Sequence, residues 1–265
     1  MFDVERRARI MSILQEKKEI LVQETASLFD VTGETIRRDL KKLEKQGLLV
    51  RTHGGAVFSD DNMMEAPLKI REGINISGKN AIGKFAAELI ENNDTVFLDA
   101  STSSLYVAKY IREKKNLTVI TNAERILMEL ADCPDITLIS TGGILRSKSL
   151  SCVGRMAENA IEGYHADKVF FSCKGFSPKH GLTDSNEQES EIRKVMLRCS
   201  ETVIFLCDQT KFDKTGFAKT ASLEDIDVII VDAPMPESWA SALAAASVRV
   251  ETADIVSLLS INHSH

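Results

Sequence analysis

Four cations crowd one short run of this chain: Arg37, Arg38, Lys41 and Lys42 within Thr35-Ile36-Arg37-Arg38-Asp39-Leu40-Lys41-Lys42-Leu43. Ile36, Leu40 and Leu43 recur at helical spacing, so a helix here turns them toward a small core and leaves the four cations on the faces open to solvent. The chemistry open to such a face is the grip of a polyanion, by charge and by N–H donors. The plainer reading is a solvated helix face balanced by Glu34, Asp39 and Glu44 on neighbouring turns. Arg37 and Arg38 cannot share one bearing. One is expected to grip or read DNA while the other pairs with a carboxylate, such as Asp39 or one from the first helix, and the sequence leaves open which.

The elements that must position this helix are legible around it. An opening helix is predicted from Val4 to about Glu16 with Ile10, Ile13 and Leu14 on one side; Ile20-Leu21-Val22 and a short second helix carrying Ala26, Leu28 and Phe29 follow. Asp30-Val31-Thr32-Gly33 interrupts the pattern. Thr32 is placed as the N-cap of the third helix, aiming its first N–H groups outward at a phosphate or base edge, and Thr35, one turn in, is placed near the groove floor. After Gly47, the run Leu48 to Thr52, a Gly54-Gly55 turn with glycine supplying positive φ, and Ala56-Val57-Phe58 make a hairpin. Arg51 and His53 on that hairpin are phosphate contacts or simply exposed polar residues. Three helices and a hairpin make a winged helix-turn-helix, assigned to residues 1–58.

A second set of polar groups lies further along. Apolar, strand-like runs alternate with helical ones: Thr95 to Leu98, Leu117 to Ile120, Ile136 to Ile139, Lys168 to Phe171, Val203 to Leu206 and Val228 to Val231, with a helical pattern at Ala81, Ile82, Phe85, Ala86 and Leu89. Such alternation predicts an α/β fold with a mostly parallel sheet. Ligands of open α/β sheets bind at the carboxyl ends of the strands, and those ends here are polar or glycine-rich. Asp99-Ala100-Ser101-Thr102-Ser103-Ser104 follows the first strand, Thr121-Asn122 the second, Thr141-Gly142-Gly143 the third, Lys174-Gly175 the fourth and Asp208-Gln209-Thr210-Lys211 the fifth. Small hydroxyl residues where a strand turns into a helix present O–H and N–H groups to an anion, with the helix dipole adding to the attraction; they also serve as ordinary N-caps. Between Phe58 and Pro67 the polar Ser59-Asp60-Asp61-Asn62-Met63-Met64-Glu65-Ala66 has no core periodicity, so residues 59–67 are expected to be a linker and 68–265 the second domain.

Composition sets the bounds. The 265 residues, 43% hydrophobic and 27% charged, suit one or two domains with a sizeable core. The formal net charge of -6 hides an asymmetry: residues up to Val57 carry 11 Lys and Arg against 9 Asp and Glu, the remainder 22 against 30. That division, +2 against −8, fits a nucleic-acid-facing head on an acidic body. The five cysteines, Cys133, Cys152, Cys173, Cys199 and Cys207, are odd in number and lack metal-ligand spacing, which points to a reducing compartment. No apolar run is long enough to span a membrane and the first residues are polar rather than signal-like, so a cytoplasmic location is expected. His263 and His265 on the terminal segment do not make a metal site, and neither metal nor cofactor is expected.

The motif Thr-Ile-Arg-Arg-Asp-Leu, the pair Leu43-Glu44 and the wing Leu49-x-Arg51-x-His53-Gly54-Gly55-Ala56 together resemble DeoR-type bacterial regulators of sugar metabolism. The strand-end loops resemble, in order, the landmarks of that family's effector domain, so the likeness covers nearly the whole chain. It implies a fold similar to ribose-5-phosphate isomerase and glucosamine-6-phosphate deaminase, and a repressor of a sugar-catabolic operon whose second domain senses a phosphorylated sugar. It further implies a DNA surface of Thr32, Thr35, Arg37, Arg38, Lys41, Lys42, Arg51 and His53. For the effector it implies Asp99, Ser101, Thr102, Ser103, Thr121, Asn122, Gly142, Gly143, Lys174, Thr183, Asp184, Glu189, Asp208 and Lys211. Within that set Lys174 and Lys211 would face the phosphate, Thr183, Asp184 and Glu189 the sugar hydroxyls, and Asp99 and Asp208 would orient the polyol or the lysines. The chain departs from the family at Ser101, where glycine is usual; a Cβ there narrows the space for a phosphate.

The resemblance implies a homo-oligomer through the second domain, with paired heads on operator half-sites and the effector favouring an arrangement in which they no longer fit. Segments 171–175 and 183–187 look most like regulators of deoxy-sugar use, so a ketose 1-phosphate from rhamnose or fucose breakdown is the expected effector. Two alternatives stand beside this. One is an activator, and the other an isomerase-like enzyme with Glu187, Glu189 or Asp208 moving protons, for which a winged helix has no evident use.

Overall fold

The computed structural model describes residues 3–46, 48–58 and 65–254. The chain divides into two compact units, Met1–Ile76 and Ser77–His265.

The first unit begins with α1 (Asp3–Lys17), β1 (Glu19–Leu21), α2 (Val22–Phe29) and α3 (Gly33–Lys45). Ile10, Met11 and Leu14 of α1, Val22, Ala26 and Phe29 of α2, and Ile36, Leu40 and Leu43 of α3 close one core, as helical spacing demands. Leu28, expected inside, is instead 64% exposed, because the inward stripe of α2 passes through Ala26 and Phe29. Thr32 caps α3, its Oγ1 accepting from Thr35 N at 3.2 Å. The wing strands β2 (Leu49–Arg51) and β3 (Gly55–Phe58) pair antiparallel, and β1 adds a third strand in the order β1-β3-β2.

Neither Gly54 nor Gly55 has the positive φ expected of the wing turn. Gly55 is required for a different reason: a Cβ there would lie 1.9 Å from the Ile20 carbonyl oxygen, so only glycine lets β3 close on β1. The short α4 (Leu68–Glu72) packs against α1, and Ile70 and Ile74 enter the core of this unit. The division therefore falls after Ile76 rather than at the expected residue 68. Of the expected linker 59–67, residues 59–64 lie outside the described residues, as do Gly47 and the terminal histidines.

In the second unit, α5 (Ile76–Glu88) leads into β4 (Thr95–Leu98), α6 (Thr102–Tyr110), β5 (Leu117–Thr121), α7 (Glu124–Leu130) and β6 (Ile136–Ser140). A hairpin of β7 (Ile144–Arg146) and β8 (Ser151–Val153) then precedes α8 (Arg155–Glu162) and β9 (Ala166–Phe171). After β10 (Gly175–Ser177), β11 (Gly181–Asp184) and α9 (Glu187–Arg198) come β12 (Ser200–Cys207), β13 (Ala218–Ala221), β14 (Val228–Val231), α10 (Ala240–Ala245) and β15 (Arg249–Thr252). Seven strands form one sheet in the order β15-β14-β12-β9-β4-β5-β6, every pair parallel. Both faces carry apolar clusters, one under α5, α6 and α7 and the other under α8, α9 and α10, which is why the strands are near-continuously apolar. Strand order reverses between β4 and β9. At such a switch point the connections on either side diverge to opposite faces and leave a crevice beyond the strand ends. The antiparallel set β10-β11-β13 borders it.

Candidate functional site

The head presents its cations as the periodicity demands. Arg37, Arg38, Lys41 and Lys42 are exposed on α3, and Arg51 and His53 are exposed on the wing. Three of the six have carboxylate neighbours at long range: Arg37 to Glu34 at 3.5 Å, Lys42 to Asp3 at 3.6 Å and Arg51 to Glu44 at 3.6 Å. Exposed pairs at such distances contribute little and release easily to a competing phosphate. Arg38, Lys41 and His53 have no partner among the described residues.

Asp39 does not pair with either arginine beside it. It is buried and takes Arg6 Nε at 2.6 Å and Arg7 at 3.6 Å, because on a helix its side chain points inward with Ile36 and Leu40 while Arg37 and Arg38 point out. That buried bond ties α3 to α1 and so sets the angle at which the cationic face is presented. Thr35 is spent partly on its own helix, its Oγ1 lying 3.0 Å from that of Thr32.

In the second unit the strand-end loops stand side by side, after β12, β9, β4 and β5 in that order. The β4 loop crosses the switch point. Ser104 Oγ donates to Asp99 Oδ1 at 2.6 Å, Ser101 N donates to the same oxygen at 3.2 Å, and Asp99 Oδ2 accepts from Ser172 N beyond β9. Ser101 caps α6, its Oγ accepting from Ser104 N at 3.0 Å and its φ of -81 straining nothing, so the Cβ at this position is accommodated. Capping in this way leaves the N–H groups and hydroxyls of Thr102 and Ser103, both buried, without a partner among the described residues. Two N–H and two O–H donors at a helix N-terminus are chemically suited to an anion.

The organising cation of this region is Arg193, which sequence reasoning missed. It lies on α9, is 4% exposed, and donates through Nε to Asp99 Oδ2 and through Nη1 to Asp184 Oδ2, both at 2.7 Å, with Glu189 at 3.9 Å. Burial disfavours its charge, but the carboxylates of Asp184, Asp99 and Glu189 outweigh that and raise its pKa further above the ordinary arginine value. Arg146, on β7, was missed as well; its Nη1 donates to Glu189 Oε1 at 2.6 Å, and Ser151 Oγ donates to the same oxygen. Burial pushes the Glu189 carboxyl up, yet Arg193, the Ser151 and Ser149 bonds and Arg146 together hold it below its ordinary value. Asp99, Asp184 and Glu189 are thus engaged with the protein's own arginines. Nothing local marks either arginine: Arg193 sits in a polar helix and meets Asp99 across 94 positions.

The other expected residues occupy distinct roles. Thr121 Oγ1 donates to Leu98 O at 2.6 Å and accepts from Ala123 N, and Thr183 Oγ1 donates to Gly175 O and accepts from Gly216 N, so both hydroxyls brace loops. Asn122 Nδ2 donates to Cys152 O at 2.9 Å. Gly142 and Gly143 adopt φ of 60 and 112 beyond β6, and a Cβ on Gly143 would meet Val153 O at 2.8 Å. Lys174 and Lys211 are half-buried at the ends of β9 and β12.

Asp208 is fully buried, its Oδ1 taken by Thr210 N at 3.0 Å and by Thr210 Oγ1. Burial would raise its pKa, but Lys211, Lys79 and the Thr210 bonds hold it below the usual value. Lys79 of α5, also absent from the sequence reading, is only 2% exposed. A cavity of about 330 Å3 lies beside these loops, between Ile120, Ile139, Thr141 and α8 residues Asn159 and Ala160. It contains no charged side chain and none of the expected effector residues, so its chemistry does not suit a phosphate.

All five cysteines are free thiols, and burial pushes the Cys173 thiol up to about 12. Burial raises the pKa of the other four as well, which favours the thiol over the nucleophilic thiolate at neutral pH. No helix among the described residues is long and apolar enough to cross a membrane, and no group of three or more His, Cys, Asp or Glu among them could hold a metal ion.

Comparison with known proteins agrees with this division. Residues 6–62 match the DeoR-like helix-turn-helix domain and residues 74–233 the DeoR C terminal sensor domain. The chain is 41% identical to the HTH-type transcriptional regulator YulB of Bacillus subtilis (strain 168), over 94% of this chain and 96% of that one. It is 32% identical to a putative aga operon transcriptional repressor of Escherichia coli O157:H7, over 93% and 92%. With the L-fucose operon activator of Haemophilus influenzae it shares 33% identity over 86% and 92%. A ribose 5 phosphate isomerase A from Neisseria gonorrhoeae is similar at TM-score 0.38 and 12% identity, covering 51% of this chain and 53% of that one.

Proposed function

We propose, for a chain that belongs to the DeoR family of sugar-responsive helix-turn-helix transcriptional regulators, that it is a sequence-specific repressor released from its operator by a phosphorylated sugar. The observation that carries this reading is the α6 N-terminus. There, donors of Thr102 and Ser103 stand unspent at the switch point of a parallel sheet whose neighbouring loops bring Lys174 and Lys211. A dianionic phosphate matches N–H donors, a helix dipole and ammonium groups; the neutral polyol attached to it reaches the adjoining strand ends.

The head supplies the output. Exposed Arg38 and Lys41 meet DNA phosphate or base edges, Thr32 and Thr35 sit at the helix entry, and Arg51 and His53 follow the backbone from the wing. Two chains on repeated half-sites, joined through the second domain, give the affinity that one head lacks. A coupling of about 1–3 kcal/mol between effector and DNA suffices for release. Repression is supported by the aga operon relative and activation by the L-fucose operon relative, and coupling can take either sign. A deoxy-sugar ketose 1-phosphate remains the preferred effector. Catalysis is disfavoured because Glu189, one of the three expected bases, is ion-paired with Arg146 and lies near Arg193, and because a winged helix has no evident use in an isomerase.

A thermal-shift panel of ketose 1-phosphates, aldose 6-phosphates and their unphosphorylated parents tests the sensor. A ligand at 100 times its dissociation constant stabilises the fold by about 2.7 kcal/mol. Phosphorylated compounds are expected to shift the melt and their parents not; a parent that shifts it equally contradicts the phosphate reading. Lys211→Ala is expected to bind DNA normally and ignore the inducer.

A further inference from the structure

We infer that a second copy of this chain docks on the outward face of α8, the two helices antiparallel about a two-fold axis, with Met156 of each copy filling the cavity beside Gly163 of the other. The inference rests on the reading that two chains are joined through the second domain, and it names the surface that joins them.

α8 turns Ala157 and Ile161 into the core, while Met156, Asn159, Ala160 and Gly163 recur at intervals of three and four on its outward side. Met156 is 75% exposed, an apolar side chain with nothing over it in the single chain. The cavity of about 330 Å3 opens along the same side, between Asn159, Ala160 and Gly163 of α8, Tyr164 just beyond it and Ile139 of β6. Its walls carry no charge, so an apolar side chain suits it, and methionine, unbranched and adaptable, fills irregular gaps well. Met156 and Gly163 are seven residues apart, two helical turns or about 10.5 Å. A knob and a hollow so placed on one helix are self-complementary: a two-fold axis midway between them sets the helices antiparallel and brings each Met156 to the partner's Gly163.

Charge agrees with this direction. Arg155, its side chain 74% exposed, opens α8, and exposed Glu162 closes it, so antiparallel helices set each arginine against the partner's glutamate, whereas parallel ones would set like charges together. The existing pair of Arg155 with Glu158 is loose, at 3.7 Å on the surface, and does not commit the guanidinium.

The sheet edge beside α8 points the same way. β6 is the last strand of the sheet and pairs with β5 alone among the described residues; its sequence Ile136-Thr137-Leu138-Ile139-Ser140 has no charge or proline to blunt an open edge. β15, at the other edge, carries Arg249 and Glu251. Ile144 and Leu145 of β7 are 66% and 53% exposed, and Ile144 lies against Gly154 at the entry to α8. Apolar side chains exposed together mark an interaction surface, and a second copy covers both this group and the uncharged edge.

Sedimentation velocity on the full chain over a range of concentrations tests the inference. The wild type is expected to be an oligomer. Met156→Asp, a change that lies in solvent in the single chain, is expected to raise the dissociation constant of one assembly step about tenfold or more, with the circular dichroism spectrum unchanged. Arg155→Glu is expected to raise it about fivefold, and R155E combined with E162R to return it to within about twofold of the wild type, because the exchanged charges meet again only across antiparallel helices. A wild type that stays monomeric overturns the inference together with the reading that two chains are joined through the second domain. An oligomer that M156D leaves intact overturns the inference alone, as does a double variant no tighter than R155E. Should M156D lose its fold, the charge exchange decides by itself.

Discussion

The two units keep their charges in opposite ways. The head leaves Arg38 and Lys41 in solvent with no partner among the described residues and buries Asp39 against Arg6, with Arg7 beside it, to aim them. The sensor unit sinks a set of charges: Arg193, Asp99, Asp184, Glu189, Lys79 and Asp208 are all buried, and the first four form one ion-pair network around the arginine. A surface that must release a long polyanion on cue does better with exposed, weakly committed cations, whose grip is salt-sensitive and spread over many phosphates. A pocket that must distinguish one small molecule from another needs fixed groups in low dielectric, where each misplaced bond is costly. The same residue types thus do affinity in one unit and geometry in the other.

The sharpest way to break this comparison is Arg193→Ala. It removes the cation that Asp99 and Asp184 share, leaving both carboxylates buried without a charged partner, and chemical denaturation is expected to show the sensor unit losing about 3–5 kcal/mol. A loss under about 1 kcal/mol would mean the network is solvated and the contrast false. Asp39→Ala should be next, leaving Arg6 buried without its carboxylate and costing the head about 3 kcal/mol, read as earlier unfolding of the first unit.

Acid should separate the units further. The folded pKa of Glu189 lies below its ordinary 4.5 and that of Asp208 below 3.8, so both contribute stability that is fully present above those values and is lost as pH falls through the folded ones. Unfolding of the sensor unit followed from pH 6 downward is expected to stay level until about pH 4.5 and then weaken; a sensor unit growing more stable on acidification contradicts the stated sign. The smallest effect on stability is expected for Arg38→Ala, within about 0.5 kcal/mol, while DNA affinity falls and the salt slope drops by about 0.9 for one lost phosphate contact. Unchanged affinity would remove Arg38 from the DNA surface.

What was legible in the sequence follows from the same contrast. The helices of the head and the six strand runs announce themselves because burial imposes a local period, and Ile36, Leu40 and Leu43 by themselves decide which way Arg38 points. The partner of Asp39 is not legible locally, because it lies on another helix, 33 residues away, while two arginines stand next to Asp39 in the chain. The sequence pattern places Gly55 in a turn, whereas its constraint comes from the Ile20 carbonyl on β1, a strand too short to show a period of its own. In the sensor unit, the strand-end loops could be found by counting strands. Arg193, Arg146 and Lys79 could not, since their burial is decided by tertiary partners and nothing in their immediate neighbours announces it.

The central claim is that effector bound at the strand ends changes the grip of the head on DNA. Its most direct measurement is fluorescence anisotropy on a duplex selected by the protein from a random pool, titrated with and without each sugar phosphate that shifts the melt. At least one such compound is expected to weaken binding about fivefold or more, with its unphosphorylated parent inert, as a coupling of about 1 kcal/mol requires. DNA affinity that stays the same with every compound that binds the protein would contradict the claim.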